Sequence, residues 1–418
     1  MALRPNHPEN HPDKTFMIEE STRGTTSRIG HLVSLRNLGG VERYFTRFYT
    51  RHTPQHDHHV LLQTDEIHSL LEPAYAPHRA ARMHSIKGGR WRIPKFLPSV
   101  RQRYQLAMMQ RLELDAVVVW NKIVNHPLAF DDGIPLIHFE RGSAWLAADA
   151  PGLRRYLSRL DGVLCNSYAG LRILQLKWQL DPDIPYRVLQ NAIRLPEQAA
   201  SHPGDRFRLG FAGRMTGLKA PMVALETFAE LKQRCPEAEL WIAGSGPLEP
   251  VLKQWTARWG LNDSVHFKGL VDDMSGFYAS LDAFICPSWR EPFGNVVQEA
   301  LAHGLPTLVG NADGLPELVR HGVNGAVLNP GRSRHSLARY DPRCAKGPDE
   351  VYDPTTDSLV EAGVLEPAEA ATVLEGWARD PSLRRRMAQA AREQVARDFD
   401  LDRYGETLVD FVDSVIRT

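Results

Sequence analysis

The chain reads as an α/β protein of two doubly wound domains facing each other across a cleft, and three observations predict that class. From about Ile29 to Leu189 short apolar runs alternate with amphipathic stretches, the pattern of a parallel sheet with crossover helices. The alternation stops at Ala192–Asp205, AIRLPEQAASHPGD, which has no periodic apolar face and is read as a linker. From about Arg206 it starts again, more regularly than before.

In the first series, strands are predicted at IGHLVSL, HHVLLQ, DAVVVW, PLIHF and GVLCNS. In the second they are predicted at RLGFAG, AELWIAG, VHFKG, DAFICP, PTLV and GAVLNP. Residues 1–28 begin MALRPNHPENHPDKTF, without the apolar core of a signal sequence, and a mobile polar tail is expected. The first domain then spans 29–195 and the second 206–400. Three helical stretches close the chain: EAATVLEGWAR, PSLRRRMAQAAREQVARDF and DRYGETLVDFVDSVI. Residues from about Gly331 to Val360 are polar and rich in Arg, Asp and Pro, and read as an insertion loop with no legible role.

Composition narrows the function. A chain of 418 residues is long enough for two or three cored domains. Lys plus Arg and Asp plus Glu both total 50, which argues against general nucleic-acid binding, a task for basic surfaces. No apolar run approaches the roughly twenty residues of a membrane span. Cys165, Cys235, Cys286 and Cys344 form no CxxC pair, and Cys165 and Cys286 sit in apolar strands as small core residues. A reducing cytoplasm is expected. His52, His56, His58 and His59 cluster, but no Cys or carboxylate completes a ligand set. No phosphate-loop NTPase or serine-hydrolase motif is present.

The most informative stretch is Ser288–Pro330, SWREPFGNVVQEALAHGLPTLVGNADGLPELVRHGVNGAVLNP. Glu291 and Glu299 are separated by seven residues, with Pro292, Phe293 and Gly294 directly after the first. An apolar helical run follows, stopped at Gly304. Glu291 therefore belongs to a loop, Gly294 opens a helix, and Glu299 projects from its second turn. The start of a helix carries unpaired N–H groups and partial positive charge, which suits an anion, and Gly294 permits close approach to the backbone. Two acids flanking an anion site make sense as acceptors for hydroxyls. A nucleotide sugar has that layout: sugar, diphosphate, ribose.

This segment resembles the donor-site signature of retaining glycosyltransferase family 4, enzymes of the GT-B fold with two Rossmann-like domains. The resemblance implies that Glu291 contacts hydroxyls of the donor sugar and Glu299 the ribose, with Phe293 and Asn295 beside them. It gives Arg214 and Lys219, in RLGFAGRMTGLKA after the turn at Gly213, to the diphosphate. Alone they would be two surface cations. Glycosyl transfer, however, expels a charged leaving group, and fixed cations there favour the transition state. Gly39 and Gly40, where a strand turns into a helix, match a glycine pair covering the donor pyrophosphate. Lys268 and Gly269 stand where relatives hold the base through backbone groups, and the Ala243–Pro250 loop shapes the same end of the cleft.

Many relatives carry a His at the end of the strand in PLIHFERGSAW. Alignment of strand ends puts Glu140 there, with His138 two residues earlier. Side chains at i and i+2 share a strand face, so which of the two faces the donor sugar stays open. So does a role for Glu140 or Arg141 toward an acceptor hydroxyl or phosphate.

The family implies a metal-independent, retaining transfer of a hexose-type sugar from a UDP- or GDP-sugar to a glycan or lipid-linked acceptor, with no other cofactor. Lipopolysaccharide or envelope-polysaccharide synthesis is the expected setting. A nucleotide-sugar epimerase or a non-catalytic binding protein on the same fold are the alternatives. Arg79–Arg103 holds eight Lys or Arg, no Asp or Glu, and interleaved Trp91, Phe96 and Leu97. It reads either as a solvated charged face or as a surface for an anionic bilayer or a phosphate-bearing acceptor. The second reading places the protein peripherally on the inner membrane face.

Overall fold

Each apolar run of the two series forms a strand of one of two parallel sheets in the computed structural model. The structure describes residues 27–417 except 38, 53–55, 65, 88–92, 95–96, 122–132, 148–149, 198 and 201–205. The first sheet contains β1 (Arg28–Val33), β2 (Asp57–Leu62), β3 (Met83–Ser85), β4 (Ala116–Trp120), β5 (Leu136–Glu140), β6 (Gly162–Cys165) and β7 (Tyr186–Val188). Its strand order is β3-β2-β1-β4-β5-β6-β7. The second contains β8 (Arg208–Ala212), β9 (Glu239–Ala243), β10 (Val265–Gly269), β11 (Ala283–Cys286), β12 (Thr307–Gly310) and β13 (Gly325–Leu328), in the order β10-β9-β8-β11-β12-β13. Strand order reverses between β1 and β4 and again between β8 and β11, which opens a crevice at the carboxyl ends of both sheets.

The strands were legible because parallel strands covered on both faces are continuously apolar: all five residues of β4, AVVVW, are buried. The two that carried no such signal, β3 and β7, are three-residue, half-buried strands at opposite edges of the first sheet. Cys165 and Cys286 are buried in the strands expected. Residues 1–26 of the expected tail lie outside the described residues, whereas Arg28 already belongs to β1.

The last helix, Leu401–Ile416, returns to the first sheet. Tyr404, Leu408, Phe411, Val412 and Val415 recur at helical spacing and share one apolar cluster with Ile29, Phe45 and Val118. Asp400 caps it, accepting from the Asp402 and Arg403 amides at 2.9 and 2.8 Å.

The segment expected as an insertion loop is folded. Two short antiparallel pairs, Arg332–Ser333 with Gly363–Val364 and Glu350–Asp353 with Ser358–Glu361, frame 3-10 turns at Arg334–Arg339 and Pro342–Ala345. Polarity hid this order, because its buried residues, among them Leu337, Cys344, Val351 and Tyr352, are scattered rather than periodic. The Arg334 guanidinium lies over the Trp289 ring, and Trp289 Nε1 donates to the Gly217 carbonyl at 2.8 Å. No described helix is long and apolar enough to cross a membrane.

Candidate functional site

A cavity of about 720 Å³ lies between the two sheets, and chain segments leaving strand ends build both its walls. On the first-domain side Asn121 follows β4, Arg141 follows β5, Asn166 follows β6, and Asn191 lies just beyond β7. On the second-domain side Arg214 follows β8, and the Arg290–Asn295 segment follows β11. Ligand crevices of open parallel sheets form this way, since backbone groups and side chains converge where strands stop.

The second-domain wall brings together most of the residues expected from sequence. Lys219 ends a 3-10 turn, Gly217–Lys219, and its ammonium donates to Glu291 Oε2. The Glu291 side chain is mostly buried and that of Lys219 about a quarter exposed, so part of each charge remains open to the cavity. Arg214 is exposed on the same wall. Phe293, Gly294 and Asn295 line it too, at the start of helix Asn295–Ala302. Gly294 takes φ of 107°, and a Cβ there would come within 3.0 Å of Leu315 Cδ2. The Ala243–Pro250 loop supports the Arg214 loop from behind: the Met215 amide donates to the Ser245 carbonyl, and the Leu248 amide to the Met215 carbonyl, both at 3.0 Å.

Glu299 projects from the second turn of that helix but does not line the cavity. It is half-buried and accepts from Tyr278 Oη at 2.9 Å. Burial raises its carboxyl above the ordinary value, against the pull of that hydrogen bond and of Arg47 and Arg43 from the first domain. Of the glycine pair, Gly40 lines the cavity, and a Cβ on it would meet Asn295 Nδ2 at 2.9 Å. Gly39 instead donates its amide to Glu42 Oε2 at 3.0 Å. Gly213, at φ of 153°, turns the chain between β8 and Arg214.

Other expected residues lie away from the cavity. Neither His138 nor Glu140 lines the cavity; they are 0% and 1% exposed beneath it. His138 pairs with Tyr156 Oη and Glu140 Oε2, both at 3.1 Å. Glu140 also accepts from Ser143 Oγ at 2.8 Å and from the amides of Gly142 and Ala144. Burial alone would raise the Glu140 carboxyl, but the His138, Ser143 and Ala144 hydrogen bonds hold it below the ordinary carboxylate range. The shared strand face was right. It faces inward, and Glu140 shapes the loop that carries Arg141 and Ser143 to the cavity. Lys268 and Gly269 do not line the cavity either: the Lys268 ammonium sits 3.6 Å from the centre of the Trp241 ring, and the Gly269 carbonyl accepts from the Gly244 amide.

Sequence reading missed Asn121, Asn166, Asn191 and Arg290; the first two are the first polar residues after apolar strands, whereas Asn191 and Arg290 lie three and four residues past theirs and carry no such signal. Arg290 is 7% exposed and donates to the Gly142 carbonyl at 2.5 Å, joining the two walls. Gly142 has φ of 113°, and a Cβ there would stand 2.5 Å from Pro292 Cγ, so only glycine permits that approach. Asn191 Nδ2 donates to Asn295 Oδ1 at 2.6 Å across the same seam. Arg141 is held by Asn191 Oδ1 at 2.7 Å and Tyr404 Oη at 3.2 Å, over the Phe139 ring. Among the described residues, the charged ones of the lining are Arg141, Arg214, Lys219 and Arg290 against the single acid Glu291. Such a surplus of fixed cations with one carboxylate suits a polyanion bearing a hydroxyl-rich end.

Residues 206–340 match the family model described as Glycosyl transferases group 1. That match lies within the second domain. An uncharacterized glycosyltransferase of Methanocaldococcus jannaschii is 36% identical over 128 residues, 30% of this chain and 33% of that protein. A lipopolysaccharide core biosynthesis glycosyltransferase of Rhizobium meliloti is 28% identical over 191 residues, 44% of this chain and 54% of that one. The chain thus spans about a third to a half of these relatives' lengths. Anabaena HepE in complex with UDP superposes with a TM-score of 0.71 at 19% identity, covering 93% of this chain and all of that one. The likeness is one of fold: two parallel-sheet, Rossmann-like domains in the GT-B arrangement.

Among the described residues no group of three His, Cys, Asp or Glu could hold a metal ion. His58 is buried in the first domain with Nδ1 2.9 Å from His31 Nε2, and His59 faces His84 and Asp57.

Proposed function

We propose that this protein transfers a hexose-type sugar from a nucleoside diphosphate donor to an acceptor hydroxyl, with retention at the anomeric carbon. One observation carries the reading: Arg214, Lys219, Glu291 and the start of helix Asn295–Ala302 share one wall of the interdomain cavity. Lys219 and Arg214 hold the diphosphate, Glu291 orients the sugar hydroxyls, and Glu299 takes the ribose at the far end. The acceptor oxygen attacks the anomeric carbon on the face from which the diphosphate leaves. The bond from that carbon to the phosphate oxygen breaks, the new glycosidic bond forms, and the acceptor proton passes to a leaving phosphate oxygen. Cations fixed beside that oxygen stabilise the charge growing on it. The Lys219–Glu291 contact keeps both side chains in place before the donor arrives, so little reorganisation remains for the reaction itself.

Matches to lipopolysaccharide core glycosyltransferases favour a role in envelope glycan synthesis. UDP is the favoured nucleotide, since HepE is known with UDP and with UDP-glucose. Thermal unfolding against UDP-glucose, UDP-galactose, UDP-N-acetylglucosamine and GDP-mannose tests the donor class. At a hundredfold excess over its dissociation constant, a ligand bound only by the folded state adds about 2.7 kcal/mol of stability. A panel that leaves the transition unmoved counts against the reading. An epimerised sugar nucleotide formed without acceptor would replace transfer by epimerisation.

We further infer an acceptor presented at an anionic lipid surface. Leu97 and Val100 are 40% and 49% exposed on the segment that also carries Arg101 and Arg103; Arg90, Trp91, Arg92, Lys95 and Phe96 lie outside the described residues. Cosedimentation with phosphatidylglycerol vesicles, lost when Arg101 and Arg103 become Glu, is the expected result. Equal pelleting with neutral phosphatidylcholine vesicles would sink the idea.

A further inference from the structure

We propose that the hairpin Glu350–Glu361, part of the polar insertion, is an interdomain clasp that sets the position of Glu291 through the side chain of Asp313. The hairpin arises from the second domain but packs on the first. Tyr352 is 2% exposed and belongs to the apolar cluster of Leu153, Leu171 and Trp178, with Leu359 beside it. Tyr352 Oη donates to Asp357 Oδ1 at 2.8 Å. Asp357 in turn takes two hydrogen bonds from Arg172 of helix Tyr168–Trp178, at 2.7 and 2.9 Å. Glu317 fixes the start of the same helix from the second domain, accepting from the Tyr168 and Ala169 amides at 2.9 Å and from Gln190 Nε2 at 2.8 Å.

Asp313 ties this clasp to the site. It is fully buried, at φ of 48°, a left-handed conformation few side chains adopt. Its two carboxylate oxygens serve two different segments. Oδ1 accepts the Tyr352 amide at 3.0 Å, and Oδ2 accepts the Glu291 amide at 3.1 Å. The backbone doubles both links: the Asp313 amide donates to the Tyr352 carbonyl at 2.9 Å, and the Gly314 amide to the Glu291 carbonyl at 3.1 Å. One rigid group thus joins the clasp to the backbone of the residue facing the cavity. Asp313 is a positioning residue that never touches the donor. The importance of the coupling for chemistry rests on the reading of Glu291 as the sugar-orienting acid; the coupling itself does not.

Hydrogen–deuterium exchange on the full unliganded chain tests it. Asp313→Gly keeps a left-handed backbone available and removes the carboxylate. The Glu291 amide is then expected to exchange roughly tenfold faster, as when a buried hydrogen bond is lost, with the β8 amides unchanged. Arg172→Ala, a change to a half-buried side chain of the other domain, is expected to speed exchange in Glu350–Glu361 and, by a smaller factor, at Glu291. A second readout is the affinity for UDP-glucose divided by that for UDP. It falls in Asp313→Gly as it does in Glu291→Gln, while UDP binding stays at the wild-type value. A purely structural Asp313 would lower the melting temperature and leave that ratio and the Glu291 amide unmoved, which overturns the proposal. If Asp313→Gly does not fold, an unchanged Glu291 amide in Arg172→Ala overturns it alone. A wild-type protein that binds no nucleotide sugar defeats the functional reading instead, and the exchange result still decides the coupling.

Discussion

Glu291 is held from three directions: its amide by Asp313, its carbonyl by the Gly314 amide, and its carboxylate by Lys219. A side chain fixed this way loses little freedom when it meets a sugar hydroxyl, so its contact is available to the transition state. Glu291→Ala is expected to lower kcat/KM about a hundredfold, or about 3 kcal/mol. The melting temperature should hardly change, because Lys219 keeps partial access to water. Steady-state transfer rates and a thermal scan of the same preparation check both halves. At this scale the sequence was readable where strand and helix ends were legible, which placed Arg214, Lys219, Glu291 and Gly294 together on the cavity wall. It was not readable for His138 and Glu140, because strand parity tells which side chains share a face but not whether that face meets a cavity or a buried loop. Asn121 and Asn166 escaped for another reason: a lone amide after an apolar run looks like any turn residue.

Helix Asn295–Ala302 shows how an element can be built for a ligand. Its N-cap is a left-handed glycine with no capping side chain, so its first amides lack the partner that Ser or Asp would supply. Asp400, by contrast, caps the last helix, whose residues do not line this cavity. An uncapped start facing the cavity is suited to phosphate oxygens. Gly294→Ala forces a side chain into positive φ against Leu315 and Leu318 and should destabilise the protein by about 1–2 kcal/mol. It should also weaken UDP binding, measured by calorimetry on protein confirmed as folded. Equal UDP affinity in a folded Gly294→Ala protein would detach this helix from the diphosphate. Long elements such as Leu401–Ile416 were legible from their apolar period. The edge strands β3 and β7 and the Gly331–Val360 segment were not, because three-residue strands and 3-10 turns stabilised by guanidinium and carboxylate contacts leave no period to read.

For the whole molecule, a buried acid at the junction of the two domains makes stability depend on pH. Burial pushes the Asp313 carboxyl up to about 7, while the facing Arg290 lowers it and Glu291 raises it. In the unfolded chain the same group titrates near about 3.9. Between those values the folded state binds more protons than the unfolded state, so this group's contribution is complete below the lower value and is lost as pH rises through the higher one. Carboxylates held low by hydrogen bonds, such as Glu140, act in the opposite direction, and Glu317, also pushed up to about 7, acts in the same one. Wild type must therefore be compared with Asp313→Asn, in which every other group is retained. The difference in unfolding free energy, wild type minus variant, should fall from about pH 4 to about pH 7 and then level off. Urea melts at intervals of half a pH unit measure it. A difference that stays flat would mean that Asp313 is ionised in the folded protein throughout, with its two amide donors and Arg290 outweighing burial.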